Sequence, residues 1–281
     1  MFKHSLGNCF LGRTLVLTTA QIELEVTLDV GPRIISLKKL GSENILFQDI
    51  NDSVNNDCSA VYGAGAKWHI YGGHRVWLSP EDASTYYPDN SACSYSIANN
   101  SVTFTPNQWA VVDVQPRLTI EFLAADKLQV KMQIENKAQT AKQLCVWGLT
   151  VMRVGGTLTI PLSTEDTGYL ANRNLVLWSY DDIKDSRFTL HNDRIVMTSN
   201  KDIAAPFKLG CYNKDIRAEY VLGDTTFIKT FFGEDGASYP DYNCNIEAYM
   251  SNFIHEVESL SPIKCVDSGA TITHNEIWKI K

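Results

Sequence analysis

Apolar and polar residues alternate along most of the chain, which is typical of half-buried β-strands. In segment 21–28 every second residue is apolar, and segments 118–122 and 128–135 repeat this alternation on either side of a turn at 124–127. No segment carries an apolar stripe at helical spacing over three turns. The pattern therefore predicts an all-β sandwich of many antiparallel strands. Further strands are predicted in the second half, at 188–198, 218–222, 226–232, 244–249, 253–260 and 271–279.

Three further segments refine this prediction. Segment 143–152 is apolar on both faces, which indicates a central strand covered on both sides. Asn99 and Asn100 lie between two extended segments, and Asn tolerates the positive φ of a tight hairpin turn. Residues 48–66 are mostly polar or small, which predicts a long loop of the kind that often carries function.

Composition sets the broad class of protein. The 281 residues include 44% hydrophobic positions, enough for one large core, so we expect a single domain spanning residues 1–281. The net charge of -7 disfavours nucleic acid and anionic membrane surfaces as partners. The seven cysteines contain no C-x-x-C pair, and no apolar run has signal-peptide or membrane-spanning length. The expected location is the cytoplasm.

The stretch from Tyr71 to Glu81 combines several kinds of chemistry in eleven positions. A glycine pair permits close backbone approach, and His74 exchanges a proton near neutral pH. Arg75 offers a fork of donors and Trp77 a flat apolar face, which together suit the hydroxyls and C–H faces of a sugar. The alternative is a turn with a core tryptophan and a solvated charge.

A second candidate cluster lies near the C-terminus. Side chains alternate along a strand, so Glu247 shares a face with Asn245 and Tyr249, where it could act as a general base. The alternative is a solvated strand carboxylate. The same alternation places His255 opposite its neighbouring carboxylates, which speaks against a metal site, and His274 is interpreted as a solvated strand residue.

Several motifs resemble galactose mutarotase-like proteins, the aldose 1-epimerase superfamily. Glu247 lies in Ile-Glu-Ala-Tyr and precedes Ser268-Gly269 by 268 − 247 = 21 positions, which resembles the strand of the base glutamate and the turn before the last strand. Segments 31–37 and 71–81 resemble the family's early strand and its Gly-Gly and Trp-Pro segment. The closest resemblance is to an uncharacterised bacterial branch. It implies a β-supersandwich of two large antiparallel sheets with a cleft on one concave face.

The resemblance also implies roles for residues. Glu247 matches the base that removes the anomeric hydroxyl proton. The family's acid histidine has no counterpart on the central strand around Trp147, so His74 is expected to replace it. Arg75 is expected to bind hydroxyls or an anionic sugar group. Further contacts to the sugar are expected from Trp77, Trp147, Tyr71, Asn245 and Tyr249.

Three functions remain open at this point. The first is an aldose 1-epimerase that interconverts sugar anomers and needs no cofactor or metal. The second is a non-catalytic sugar-binding protein, and the third is a sugar-cleaving hydrolase or lyase with Glu81 or Glu276 as a second acid. In each case the partner is a small-molecule carbohydrate, and the chain is expected to be a monomer or homodimer.

Overall fold

The computed structural model describes residues 2–281, and antiparallel strands account for most of its regular structure. In chain order the strands are β1 (Lys3–Cys9), β2 (Gly12–Thr18), β3 (Ile22–Thr27), β4 (Ile34–Lys39), β5 (Asn55–Asp57), β6 (Lys67–His69), β7 (Gly73–Ser79), β8 (Ser94–Ala98), β9 (Ser101–Thr105), β10 (Val114–Ala124), β11 (Lys127–Asn136), β12 (Lys142–Arg153), β13 (Thr157–Pro161), β14 (Val176–Leu177), β15 (Phe188–Leu190), β16 (Arg194–Thr198), β17 (Phe207–Cys211), β18 (Asp215–Leu222), β19 (Thr225–Phe232), β20 (Ile246–Met250), β21 (Ile254–Leu260), β22 (Lys264–Val266) and β23 (Thr271–Ile280). Within residues 2–281, helical structure is limited to single turns at Ser59–Tyr62, Ala110–Val112 and Pro240–Asn243, and the last of these has left-handed φ values at Asp241 and Tyr242.

Two large sheets contain nearly all of these strands. The eleven-stranded sheet has the order β1-β2-β3-β4-β7-β12-β21-β20-β17-β14, with β22 paired to β12. The ten-stranded sheet has the order β15-β16-β13-β18-β19-β23-β11-β10-β9-β8. Strands β5 and β6 form a separate short ladder. The predicted all-β sandwich of antiparallel strands is confirmed.

The main core lies between the two sheets, where apolar side chains of both are buried. The predicted central strand is β12, which is buried along most of its length between β7 and β21. A Cβ added at Gly148 on β12 would lie 2.6 Å from Met132 Cε of the opposite sheet. The sheets therefore approach closely at this point, and only glycine leaves room for the side chains that face it.

Several local predictions are confirmed. Alternation at 21–28 corresponds to β3, and the segments flanking 124–127 pair as β10 and β11. Asn99 has a φ of 50° in the hairpin between β8 and β9, as its tolerance of positive φ predicts. Residues 48–66 contain β5 and a helical turn as well as loop. No helix within residues 2–281 is long and apolar enough to cross a membrane.

The segment that contains Gly72 and Gly73 differs from a simple turn. From Gly73 onward it is strand β7, in which all seven residues are buried. The two glycines have φ values of 97° and 69°, and a Cβ on either would lie 2.2 Å from a carbonyl oxygen of a neighbouring segment, Phe47 or Ile34. Because glycine has no side chain, the backbone can pass close to these carbonyl groups where it enters the centre of the larger sheet.

Candidate functional site

A pocket of about 260 Å³ lies on the face of the eleven-stranded sheet that points away from the ten-stranded sheet. Pairing places its side chains side by side: Arg75 lies opposite Leu149, and Trp77 opposite Trp147. The volume is slightly below the range of about 300–1,000 Å³ for drug-sized ligands, so the pocket suits a smaller molecule. The lining residues are Val54, Asn56, Trp68, Ile70, Arg75, Trp77, Glu81, Tyr86, Trp147, Leu149, Tyr180, Lys208, Tyr249, Phe253, Ile254 and Glu256.

Three stacked tryptophans form one wall of this pocket. Trp77 stacks on Trp68 with ring centroids 5.6 Å apart and on Trp147 with centroids 4.9 Å apart, both nearly parallel. Tyr86 packs edge-on against Trp68 and Trp77. The indole N–H of Trp77 donates to the carbonyl oxygen of Thr85, which fixes the ring. The three indoles therefore form a rigid aromatic border of the pocket, with 3–5% of each side chain exposed.

Arg75 lies against this wall. Its guanidinium carbon is 3.6 Å from the ring centroid of Trp77 and 4.6 Å from that of Trp68, within cation–π range. Arg75 is 4% exposed. Burial, followed by the nearby charge of Arg33, lowers the pKa of Arg75 to about 9.

Lys208, whose Nζ lies 4.9 Å from the ring centroid of Trp147, holds two carboxyl groups next to the tryptophan wall. Its Nζ lies 2.8 Å from Glu247 Oε2 and 3.2 Å from Glu258 Oε2. Glu258 also accepts a hydrogen bond of 2.9 Å from Trp147 Nε1. Burial opposes the charge of Lys208, but the charges of Glu258 and Glu247 outweigh it and raise the pKa of Lys208 well above its ordinary value.

Three glutamates near this lysine differ in their burial and in their position relative to the pocket. Glu247 and Glu258 are almost fully buried beneath it, whereas Glu256 is partly exposed and lines it. Burial is the main cause that raises the pKa of Glu247 and of Glu256 to about 8, and the charge of Glu258 adds to both shifts. The shift favours the protonated form of Glu256, whose carboxyl group faces the pocket.

The structure brings four of the predicted site residues together in the pocket lining: Arg75, Trp77, Trp147 and Tyr249. Glu247 lies beneath the lining, paired with Lys208. Asn245 is occupied by hydrogen bonds of its amide to the backbone of Asn213. Neither residue is placed to reach a ligand directly.

Tyr71 is outside the lining as well. Its hydroxyl donates to Asn90 Oδ1 at 2.8 Å, and its ring lies 5.3 Å from the guanidinium carbon of Arg33. Tyr71 has a φ of 51°, just before the glycine pair. It shapes the entry to β7 and does not contact the pocket.

His74 points to the opposite side of β7, into the space between the sheets. It is fully buried, its Nδ1 lies 2.8 Å from Thr150 Oγ1, and its ring meets Trp278 edge-on. Burial lowers the pKa of His74 to about 3, so the ring is neutral. The alternation that places Arg75 in the pocket thus removes His74 from it.

Glu276 lies in the same space between the sheets, so it does not line the pocket. Lys229 Nζ lies 3.0 Å from Glu276 Oε1, with both side chains fully buried. Ser259 donates to Glu276 and lies 2.8 Å from His274 Nε2. The interpretation of His274 as solvated is wrong, since it is 6% exposed, because β23 is covered by the larger sheet.

Sequence reasoning missed Lys208, Glu256, Trp68, Tyr86 and Tyr180 as pocket residues. Lys208 had a recognisable pattern, as the single charge within the otherwise apolar segment Phe-Lys-Leu-Gly-Cys. A lysine in such a strand needs a buried partner, which here is supplied by two other strands. Among residues 2–281 no group of three or more His, Cys, Asp or Glu side chains is arranged to hold a metal ion.

Several solved structures have an architecture similar to that of this chain. A galactose mutarotase-like protein from Clostridium acetobutylicum is 11% identical, with a TM-score of 0.60 over 100% of this chain and 98% of that one. A galactose mutarotase-like protein from Lactobacillus casei is 11% identical, with a TM-score of 0.58 over 95% of this chain and 100% of that one. The chain also matches 47% of a TPR-domain containing protein from Parabacteroides distasonis, at 11% identity over 96% of this chain and a TM-score of 0.60. It spans about half of that protein's length.

No protein-family model matches the chain, and a search of curated proteins finds no match. The structural matches have very low identity, so they define the fold alone. The fold is that of galactose mutarotase-like proteins, as the sequence resemblance implies.

Proposed function

We propose that this chain binds a monosaccharide in the pocket lined by the tryptophan wall, Arg75 and Lys208. The observation that carries the proposal is the combination of stacked aromatic rings with charged side chains in a pocket of about 260 Å³. A sugar ring needs both an apolar surface for its C–H face and polar groups for its hydroxyls. The fold, which is shared with galactose mutarotase-like proteins, supports the same ligand class.

Calorimetric titration with a panel of hexoses, pentoses and uronates tests this proposal. Tyr180 lines the pocket at its rim and is 45% exposed, so Tyr180→Ala should fold normally and weaken binding about 5- to 10-fold. Tyr169→Ala is the matched control, because Tyr169 is fully exposed and lies outside the lining. Equal affinities for the two variants, or no binding of any sugar to the unaltered protein, would contradict the proposal.

Interconversion of sugar anomers is a second candidate function. It is favoured by Glu256, a carboxyl group with a raised pKa that lines the pocket together with Glu81. Mutarotation needs an acid that protonates the ring oxygen and a base that removes the anomeric hydroxyl proton. After ring opening the sugar rotates and closes again, with no cofactor. Glu256 would be the acid and Glu81 the base.

The roles of Glu247 as base and His74 as acid stay predictions, and exchange spectroscopy by NMR separates them from this assignment. Glu256→Gln and Glu81→Gln should each lower the anomer exchange rate at least about 100-fold, whereas His74→Gln should leave it within about twofold. A rate that depends on Glu247 and His74 but not on Glu256 would reverse the assignment. Release of a second sugar from a disaccharide would instead support cleavage chemistry, with Glu81 as the second acid.

We also propose a cytoplasmic location and a monomeric or homodimeric state. The seven cysteines, all within residues 2–281, form no disulfide bonds with one another, which fits a reducing compartment. Cell fractionation tests the location, and light scattering tests the oligomeric state.

A further inference from the structure

The guanidinium of Arg75 has donors with no acceptor in the protein. Its Nε is buried without a hydrogen-bond partner. Within residues 2–281 no carboxylate oxygen lies within 4.0 Å of its nitrogens, and the side chain is 4% exposed. Buried polar groups are nearly always hydrogen-bonded, so this arrangement requires an explanation.

The other two buried arginines each have a carboxylate partner within the protein. Arg33, which is fully buried, donates through Nη2 to Asp89 Oδ1 at 2.8 Å, although its Nε and Nη1 have no partner. Arg187, also 4% exposed, donates to both oxygens of Asp185 and to two backbone carbonyl oxygens. Among these three arginines, Arg75 alone lines the pocket. Its missing acceptor is thus expected to come from the ligand.

The side chains around Arg75 leave the edge of its guanidinium group available to such an acceptor. Trp77 and Trp68 lie against the guanidinium and hold its plane, but aromatic faces cannot accept the in-plane N–H groups as carboxylates do. Lys208, the other cation of the pocket, already contacts Glu247 and Glu258. We therefore expect an anionic group of a ligand to bind Arg75.

We infer that the ligand is a uronate-type monosaccharide whose carboxylate is bound in bidentate fashion by Arg75. This inference rests on the proposed sugar-binding function and names its substrate class. A planar carboxylate matches the planar fork of the guanidinium. A dianionic phosphate matches less well, because its second charge meets the carboxyl groups of Glu81 and Glu256 in the lining and of Glu258 beneath it.

Calorimetry with matched sugars at fixed ionic strength and pH 7 tests the inference. The pairs are galacturonate with galactose and glucuronate with glucose, and glucose 6-phosphate is the phosphate arm. At least one uronate should bind about 10- to 100-fold more tightly than its neutral hexose, which is the range for charge-assisted bidentate hydrogen bonds. Arg75→Gln should abolish this preference.

The outcomes separate this inference from the proposed function. Equal affinity for uronates and hexoses overturns the inference and leaves sugar binding intact. Tighter binding of glucose 6-phosphate than of either uronate also overturns it. Failure of every sugar to bind overturns both. If Arg75→Gln does not fold, Arg75→Lys keeps the charge but loses the fork, and it should retain less than about a tenth of the uronate preference.

Discussion

Lys208 Nζ lies 2.8 Å from Glu247 Oε2, and the two residues reach this contact from neighbouring strands, β17 and β20. Glu258, which pairs directly opposite Glu247 on β21, lies 3.2 Å from the same nitrogen through its own Oε2. One ammonium thus lies between two buried carboxyl groups. The arrangement links three strands of the larger sheet beneath the pocket.

Replacement of Lys208 should therefore destabilise the protein. Lys208→Met leaves two buried carboxyl groups without their cation, which we expect to lower the free energy of unfolding by roughly 3–5 kcal/mol at pH 7. Urea denaturation measures this loss.

Lys264→Met is the control for Lys208→Met. Lys264 pairs with Glu234 at 2.8 Å, but both side chains are about half exposed. Loss of such a surface pair should cost less than about 1 kcal/mol. Similar losses for the two variants would mean that the buried lysine does not stabilise the carboxyl pair.

The raised pKa of Glu256 predicts how stability changes with pH. The folded state keeps its proton up to about pH 8, whereas the unfolded chain releases it near the ordinary value of 4.5. The folded state thus binds more protons between these values, so stability should fall as pH rises through this window. Glu247 acts in the same direction.

Thermal unfolding between pH 6.5 and 8 isolates this effect. Below pH 6.5 the buried histidines, whose pKa values are lowered by burial, act in the opposite direction because the unfolded chain takes up their protons. The Tm of the unaltered protein should decrease across pH 6.5–8, and Glu256→Gln should reduce the slope. An unchanged slope in Glu256→Gln would show that this carboxyl does not hold a proton in the folded state.

His74 should matter for stability and not for the ligand. His74→Gln removes a buried ring that packs on Trp278, so we expect a loss of about 1–3 kcal/mol. Sugar affinity should stay within about twofold, because the side chain lies on the interior face of β7. Calorimetric titration beside a denaturation curve checks both quantities. A selective loss of binding or turnover with unchanged stability would restore His74 as a site residue.

Gly73 is expected to be irreplaceable for two separate reasons. Gly73→Ala forces a left-handed φ of 69° on alanine and places its Cβ 2.2 Å from Ile34 O. Gly65→Ala meets a φ of 79° but has nothing within 4 Å of its Cβ. The φ strain should cost about 1–2 kcal/mol in both, and the clash should add roughly 1–3 kcal/mol in Gly73→Ala alone. Equal denaturation midpoints would mean that the backbone relaxes around the new methyl group.

Much of the fold could be predicted because a two-residue period reports the faces of a strand. The alternation in 21–28 and 128–135 identified β3 and β11, and two-sided apolar character identified β12. The edge strand β1 and its partner β2 were missed. The residues of β1 are mostly exposed and show no clear period, whereas β2 buries Thr14, Leu15 and Leu17.

The pocket could be predicted only in part, because it depends on which strands are neighbours. Arg75 and Trp77 stood out by residue type within one segment. Lys208 and Glu256 are 48 positions apart (256 − 208), and only the order β21-β20-β17 brings them together. His74 was predicted as a site residue because it lies next to Arg75 in the sequence. Adjacent residues of a strand face opposite sides, so only Arg75 lies in the pocket.

The two faces of β21 carry separate sets of side chains, and this separation bears on how the protein could change during evolution. Glu256 and Glu258 face the pocket side, while Val257 and Ser259 contact residues of the other sheet. Substitutions at pocket positions can therefore alter ligand preference without repacking the interior. A single-residue insertion within β21 would exchange the two sets and turn both carboxyl groups inward. Variation in ligand preference is thus expected from substitutions in the strands and from length changes in the loops, and not from length changes within this strand.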